Sequence, residues 1–487
     1  MVFSTPFFIT VFLPIALGGA WLLGVFSKRL FPASWGQWLP VNAFLLLCSL
    51  WFYFWGEGWG VFWLLLSVTA NAALARIMMA RPGNRWRRSW LGLAVAGNLL
   101  FLGWFKYAGF FARSLNLLPG VTIPDPGIAL PLGISFYTFQ AMSYVIDVYR
   151  GDASLARGFI DFACYVTMFP QLVAGPIVRY STIAAQLRHR RIRLSMIVSG
   201  FRRFLYGLAK KVLIANTVAV MADGVWGAIE QGQGLEPSLA ALGLLCYTLQ
   251  IYYDFSGYSD MAIGLGRMLG FEFLENFLHP YSATSIRDFW RKWHISLSTW
   301  FRDYLYIPLG GNRRGRARTA LNGLIVFALC GFWHGASVMF ILWGLWHGLF
   351  LSAERLLFGR HPKKPALWAR LAGHLYTVAV FAAGWVLFRS ENLADASLMF
   401  QSLFALVEPV SKTRALWLDW TPKMMIAVGA GVFFAYPVVP FAKRWLQRHV
   451  NLAVLMAADN LVAAVLGLLA AIFTAGGAYN PFLYFRF

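Results

Sequence analysis

Long apolar runs alternate with short clusters of basic residues along almost the whole chain. A helix that crosses a membrane needs about 20 predominantly apolar residues. Runs near this length lie at residues 6–26, 40–55, 60–79, 89–111, 131–149, 158–178, 203–223, 236–254, 319–333, 336–353, 367–388, 422–441 and 452–475. Because some of these runs are short or polar, the pattern predicts roughly 11 transmembrane helices, with the other runs re-entrant or interfacial.

The composition excludes a water-soluble protein. Of the 487 residues, 59% are apolar and 13% are charged, and the mean hydropathy is +0.59. A soluble domain averages about 45–50% apolar and about 25% charged residues. A disordered chain is excluded as well, because such chains are poor in apolar and aromatic residues, whereas 17% of this chain is aromatic. The predicted fold class is therefore an all-α polytopic membrane protein.

The positive charge lies between the apolar runs. Lysine and arginine number 42 against 20 acidic residues, a formal net charge of +22. A basic face could bind nucleic acid, but short basic clusters between apolar runs are typical of cytoplasmic loops that obey the positive-inside rule. We therefore expect no nucleic-acid partner. The segments assigned to the cytoplasm are residues 81–88, 188–193, 313–318, 355–364 and 443–448.

Residues 271–318 interrupt the apolar pattern with a polar and basic block that is too charged to cross a membrane. Two stripes run through it at helical spacing, one apolar and one mostly basic. They are Phe289, Trp293, Leu297, Trp300, Phe301 and Tyr304, and Arg287, Arg291, His294, Ser298 and Arg302. This pattern predicts a helix lying in the membrane interface. Its basic face either anchors the helix on anionic lipid or lines a site for a substrate with phosphates, which arginine binds in a bidentate manner.

Two carboxylates, Asp254 and Asp260, lie just before this block at an apparent membrane depth. Ionisable groups inside the membrane are costly, so they usually face a protein-lined cavity and mark a functional site. The alternative is a structural ion pair with a nearby arginine such as Arg267. The spacing of these residues leaves both interpretations open.

A strongly apolar hairpin at residues 319–353 carries His334 close to its midpoint. If Arg318 and Arg355 both lie in the cytoplasm, the chain must cross outward and return between them. The outward arm reaches about 22 Å at 1.5 Å per residue, which places His334 beyond the middle of a hydrocarbon core about 30 Å thick. The adjoining Gly335 favours a break in the helix, which only a protein-lined cavity would tolerate.

An imidazole at this depth has two interpretations. Histidine takes a proton near neutral pH, so His334 could be the general base for acyl transfer to a hydroxyl; the alternative is a hydrogen-bonded core residue. A metal site shared with His347 is not expected, because one straight helix would separate the two by about 20 Å. Cys330, four residues before His334, is expected to be a packing residue rather than an acyl carrier.

Taken together, these blocks resemble the membrane-bound O-acyltransferase family, and in particular its bacterial alginate O-acetyltransferase branch. The resemblance runs almost from end to end of the chain. The order and the spacing of the motifs make it specific. The motifs occupy residues 1–4, 131–140, 169–177, 254–260, 288–294, 333–335, 387–389 and 481–485.

The resemblance implies a single domain over residues 1–487, with transmembrane, re-entrant and interfacial helices around a central funnel. It places His334 on the family's principal catalytic histidine and His294 on its second functional polar position. With the polar blocks, it predicts a set of substrate-binding residues. These are Asp254, Asp260, Arg287, Asp288, Arg291, Trp293 and Trp333. No metal ion and no bound cofactor are expected.

Within this branch the chain is expected to take acetyl from cytoplasmic acetyl-CoA and deliver it across the bacterial inner membrane. The acceptor would be an exported polysaccharide such as alginate, with a periplasmic acetyltransferase-like partner protein making the final transfer and membrane lipid around the helices. His334 would deprotonate a hydroxyl that attacks the thioester, while His294 orients or polarises a reactant.

Two alternative functions fit the same sequence. One is a D-alanyl or other acyl transferase of the same superfamily, since the motifs do not specify the acceptor. The other is a non-catalytic transporter of an acyl group or a sugar. Inverted repeats with paired broken helices would favour a transporter, and no strong internal repeat is visible in the chain.

Overall fold

The computed structural model describes residues 3–30, 35–357 and 366–476, and every regular element in these ranges is helical. The prediction of an all-α protein is therefore confirmed. Three parts of the sequence-based interpretation fall outside the described residues. They are the first two residues of the opening motif, the basic residues between 360 and 364, and the closing motif at 481–485.

Two compact units make up the chain, and the division between them falls within two helices. The first unit comprises Met1–Phe204 and Tyr258–Leu274. The helices that begin in it are α1 (Leu13–Leu30), α2 (Leu39–Glu57), α3 (Val61–Met79), α4 (Asn84–Leu115), α5 (Ile134–Arg150), α6 (Phe159–Thr167), α7 (Phe169–Leu172), α8 (Tyr180–Arg188) and α9 (Leu194–Ala209). Asn71 and Asn98 exchange hydrogen bonds of 3.1 and 2.7 Å between α3 and α4.

The second unit comprises Leu205–Gly257 and Glu275–Phe487. The helices that begin in it are α10 (Asn216–Glu230), α11 (Pro237–Met268), α12 (Ile286–Lys292), α13 (Ile295–Phe301), α14 (Gly315–His334), α15 (Val338–Leu357), α16 (Leu367–Arg389), α17 (Leu393–Leu403), α18 (Pro422–Ala435), α19 (Val438–Leu446) and α20 (Leu452–Ala475). Two π-helical turns, Lys210–Ala215 and Arg302–Tyr306, also lie in this unit, and such turns are frequent at functional sites.

Six helical stretches of the described chain are long and apolar enough to cross a membrane, and a bent pair supplies up to one more. They are Phe8–Ser27, Leu39–Met79, Asn84–Leu115, Leu194–Glu230, Leu367–Arg389 and Leu452–Ala475, and the pair is α18 with α19, bent by 66°. The chain is therefore a multi-pass membrane protein, while the number of about 11 spans stays a prediction. Leu461 and Leu468 on α20 are 66% and 63% exposed, which suits contact with lipid.

Helices α14 and α15 form an antiparallel hairpin whose backbones touch. A Cβ atom at Gly331 would lie 2.0 Å from the carbonyl oxygen of Phe340, and one at Gly344 would lie 2.1 Å from that of Phe327. Only glycine permits this approach, and close packing of small residues is a main source of helix association inside membranes. The contact therefore fixes how the two arms of the hairpin pair.

The polar block contains two short helices where the sequence pattern predicts one. The prediction of a single interfacial helix is wrong at His294, which adopts a left-handed conformation with φ of 42° between α12 and α13. The backbone amides of Ile295 and Ser296 donate to Asn276 at 3.0 and 3.2 Å instead of continuing the helix. Because Asn276 lies far earlier in the chain, helical periodicity does not reveal this competing partner.

We expect Gly344→Ala to destabilise the protein, because its Cβ atom would overlap the Phe327 carbonyl oxygen. Overpacking of this kind costs about 1–3 kcal/mol, so the thermal midpoint of the purified protein in detergent should fall. Gly429→Ala on α18 is the matched control, since a Cβ atom there meets no described atom within 4 Å and alanine favours helix. Equal midpoints for the two variants would contradict the close packing of the hairpin.

Candidate active site

Helix α14 ends at His334, and aromatic rings enclose its imidazole. The ring centroid lies 4.9 Å from that of Trp333, 5.1 Å from that of Trp343 and 5.3 Å from that of Phe388. The next residue, Gly335, is extended, and a Cβ atom there would lie 2.2 Å from the ring of Phe340. His334 is therefore held at the turn of the hairpin, with 6% of its surface exposed.

His294 lies beside the same group of rings. The break between α12 and α13 leaves it buried, with its ring 4.6 Å from that of Phe255. The Trp333 ring lies 6.3 Å from His294 and 4.9 Å from His334, so one indole contacts both imidazoles. Burial lowers the pKa of His294 to about 3. The imidazole is therefore neutral near pH 7, with one nitrogen that donates and one that accepts hydrogen bonds.

His347 lies nearer to His334 than one straight helix would place it. Because the chain reverses between α14 and α15, Trp343 packs against both histidines, at 5.1 Å from His334 and 5.3 Å from His347. The predicted separation of about 20 Å along one helix is therefore wrong. No group of three or more side chains suited to a metal ion occurs among the described residues.

A cavity of about 800 Å³ lies beside the hairpin, within the second unit. Along α14 its lining residues recur at helical spacing, from Thr319 through Gly323 and Phe327 to Cys330. The cavity thus follows one face of the helix for about 16 Å, at 1.5 Å per residue. His334 is not among its described lining residues, but Cys330 lies one turn earlier on the same face, where Cβ atoms are about 5–6 Å apart.

Four arginines line this cavity: Arg287, Arg291, Arg302 and Arg355. Arg355 donates a hydrogen bond of 2.8 Å to the hydroxyl of Tyr306, and its guanidinium lies 5.4 Å from the centre of that ring. Burial, together with the nearby charges of Arg355 and Arg291, lowers the pKa of Arg287. A cavity with this excess of positive charge is suited to an anion such as phosphate, which arginine contacts through two parallel donors.

The other predicted residues of the polar block make contacts elsewhere. Asp288 pairs with Lys292 at 2.8 Å along α12. Trp293 is buried in an aromatic cluster, with its ring 5.0 Å from that of Trp385 and 5.1 Å from that of Phe277. Neither side chain belongs to the described lining of the cavity, so the structure brings the two arginines of α12 to the cavity and leaves these two residues outside it.

Each of the two carboxylates predicted to lie at membrane depth forms an ion pair. Asp254 lies 2.5 Å from Nζ of Lys211, and both side chains are almost completely buried. Asp260, in the first unit, accepts hydrogen bonds of 3.0 and 2.8 Å from the guanidinium of Arg203. Both aspartates therefore form the structural ion pair that was the alternative to a substrate-binding role. The partners are Lys211 and Arg203 instead of Arg267.

Sequence reasoning missed three residues that complete this region. Trp290 lines the cavity, yet it falls between the two stripes of the polar block. The sequence singles out Arg355 as a flank of the apolar hairpin. A flanking arginine predicts the topology of the hairpin, however, and not a cavity. Lys211 has no local signal at all, since its partner Asp254 lies 43 positions later in the chain.

Known proteins match the part of the chain that contains this site. The model of the MBOAT, membrane-bound O-acyltransferase family, matches residues 156–392. A probable alginate O-acetylase of Azotobacter vinelandii is 39% identical, and the alignment covers 100% of each chain. A probable alginate O-acetylase of Pseudomonas putida is 42% identical over 83% of this chain and 80% of its own. A peptidoglycan O-acetyltransferase of Helicobacter pylori is 36% identical over the same shares, 83% and 80%.

Replacing one partner of the pair between Lys211 and Asp254 should destabilise the protein more than replacing both. Lys211→Met leaves Asp254 buried without this counter-charge, and breaking a buried pair in this way costs about 3–5 kcal/mol. The double variant Lys211→Met, Asp254→Leu removes both charges and should recover much of the thermal midpoint. A double variant less stable than either single variant would contradict the ion-pair account.

Acyl transfer by the same double variant separates the two interpretations of Asp254. Recovered stability with normal activity is the result expected of a structural ion pair. Recovered stability without activity would instead support the predicted contact between Asp254 and a substrate. The measurement is initial rate per folded protein, with the folded fraction taken from size-exclusion chromatography.

Proposed function

The chain belongs to the membrane-bound O-acyltransferase family and is an O-acyltransferase, and we propose that it moves acetyl from cytoplasmic acetyl-CoA across the membrane for O-acetylation of an exported polysaccharide such as alginate. One observation carries the proposal: an arginine-lined cavity follows α14 to Cys330, one turn before His334. This geometry supports the proposal because it brings four arginines and the end of α14 to one cavity.

The charge and the size of the cavity both suit acetyl-CoA as the donor. Acetyl-CoA presents a diphosphate and a 3′-phosphate at one end and a thioester at the other. Arg287, Arg291 and Arg355 suit the phosphates, whereas Arg302 pairs with Asp303 at 2.6 Å. The volume of about 800 Å³ lies within the range of about 300–1,000 Å³ that is usual for ligand pockets. The basic segment 313–318 includes the first turn of α14, so under the positive-inside rule the donor enters from the cytoplasm.

The reaction needs one group that moves a proton and one that orients a reactant. With the thioester at the Cys330 end, His334 takes the proton of the acceptor hydroxyl while its oxygen attacks the carbonyl carbon. The tetrahedral intermediate collapses, the ester forms, and the CoA thiolate leaves and takes the proton from the imidazolium. The neutral imidazole of His294 orients a reactant by a single hydrogen bond, and Trp333 keeps the two histidines in place.

The acceptor side of the proposal rests on the relatives. Their names describe acetyl transfer to alginate and to peptidoglycan, which both offer sugar hydroxyls outside the cytoplasm. We therefore place the chain in the bacterial inner membrane. There it passes acetyl to a periplasmic acetyltransferase-like partner protein, which completes the transfer to the polymer.

Replacing His334 tests this mechanism. His334→Gln keeps a polar side chain of similar size but cannot act as a base, so the rate of acetyl transfer from labelled acetyl-CoA should fall about 10²–10⁴-fold. His449→Gln, at an exposed histidine after α19, is the matched control and should keep the full rate. A rate for folded His334→Gln protein equal to that of the control would remove His334 from the mechanism.

The same assay separates the alternative functions. Transfer of labelled D-alanine from its carrier protein, with acetyl-CoA left intact, would favour a D-alanyl transferase. Movement of label into vesicles without loss of the thioester would favour a transporter. Thioester cleavage that depends on His334 and on an added acceptor, the polysaccharide together with the periplasmic partner protein, is the outcome expected of the proposed enzyme.

Replacing the arginines of α12 tests the donor site. Arg287→Gln and Arg291→Gln should each raise KM for acetyl-CoA about tenfold or more, because a hydrogen bond to a charged group contributes about 1.5–3 kcal/mol. The kcat at saturating donor should change little, since these side chains bind the phosphates and not the reacting atoms. Arg448→Gln, at an exposed position outside the cavity, is the control. Unchanged KM in both α12 variants would place the donor elsewhere.

A further inference from the structure

A buried carboxylate joins two helices of the cavity wall, α12 and α15. Glu354, near the end of α15, is 1% exposed. Its Oε1 atom accepts a hydrogen bond of 2.6 Å from the backbone amide of Ile286, and its Oε2 atom accepts one of 3.1 Å from that of Arg287. These are the first two amides of α12, so Glu354 attaches the start of that helix to α15.

The contacts of Glu354 surround the positive side of the cavity. Glu354 binds the backbone amide of Arg287, and Arg355 is the next residue after Glu354 in the sequence. Both arginines line the cavity. The phenol of Tyr376 on α16 also lies beside the carboxylate. Arg355 in turn donates to Tyr306 beyond α13. One side chain therefore touches or adjoins α12, α15 and α16.

The charges explain why a carboxylate is needed there. Burial lowers the pKa of Arg287 most, the charges of Arg355 and Arg291 lower it further, and the charge of Glu354 raises it. Like charges repel, so without a compensating anion the arginines would separate. Glu354 is nearly inaccessible to solvent and both of its oxygens accept backbone hydrogen bonds. It can offset the repulsion without occupying the cavity itself.

We propose that Glu354 is a positioning residue for the donor: it holds Arg287, Arg291 and Arg355 together so that they receive the phosphates of acetyl-CoA. This inference rests on the proposed function. Glu354 itself does not touch the donor. It acts through the backbone of α12 and through the field that it exerts on the arginines.

Kinetics of Glu354→Gln in the full-length protein test the proposal. The variant keeps the size of the side chain and one oxygen acceptor, but it loses the charge and presents an amide group to one backbone N–H. We expect KM for acetyl-CoA to rise about tenfold, while kcat and KM for the acceptor, the polysaccharide together with its partner protein, stay within about twofold. Glu391→Gln, at an exposed carboxylate before α17, is the matched control. A loss in kcat alone, or equal rises in both KM values, would overturn the positioning role.

A second pair of variants keeps the test decisive if Glu354→Gln folds poorly. Glu354→Asp retains the charge on a shorter stem, so it should raise KM for acetyl-CoA less than Glu354→Gln does. If Glu354 acts through Arg287, the double variant Glu354→Asp, Arg287→Gln should raise KM for acetyl-CoA by less than the product of the rises in the two single variants. Multiplicative effects in folded protein would contradict the proposal.

The outcome for the unmodified protein separates this inference from the proposed function. If it neither binds nor cleaves acetyl-CoA, measured with radiolabelled acetyl-CoA and protein in lipid nanodiscs, the proposed function fails. If the unmodified protein uses acetyl-CoA and Glu354→Gln shows the same KM, the proposed function stands and the role of Glu354 is refuted.

Discussion

The backbones of α14 and α15 meet at Gly331 and Gly344, where neither position has room for a Cβ atom. Close packing of this kind fixes how two helices pair, and it is a main source of helix association inside membranes. The pairing sets His334 at the turn and carries Cys330 and Arg355, on opposite arms, to one cavity. The positions of the proposed base and of the proposed donor site thus depend on the close approach of these two helices.

The break at His294 adds the second half of the site. Asn276 accepts hydrogen bonds from the backbone amides of Ile295 and Ser296. The break requires a left-handed conformation at His294, which histidine adopts more readily than most residues. Because the helix breaks there, the arginines of α12 line the cavity while His294 packs against Trp333. A continuous helix would place both groups on one stripe, as the sequence pattern predicts.

The membrane class follows from the sequence because lipid accepts few alternatives to apolar helices. The sequence also indicates His334, because a polar residue at the centre of an apolar hairpin is costly in lipid. What the sequence could not reveal depends on partners far apart in the chain. Lys211 and Asp254 pair across 43 positions, and reversal of the chain after His334 sets Trp343 between it and His347. The roles of His334 and His294 stay predictions.

In the proposed mechanism one cavity leads the donor from the arginines to His334. Cryo-electron microscopy of the protein with a non-hydrolysable thioether analogue of acetyl-CoA tests it most directly. The account predicts phosphate density against Arg287, Arg291 and Arg355, with the acyl end beside Cys330 and facing His334. An analogue bound outside this cavity, or one whose acyl end points away from α14, would contradict it.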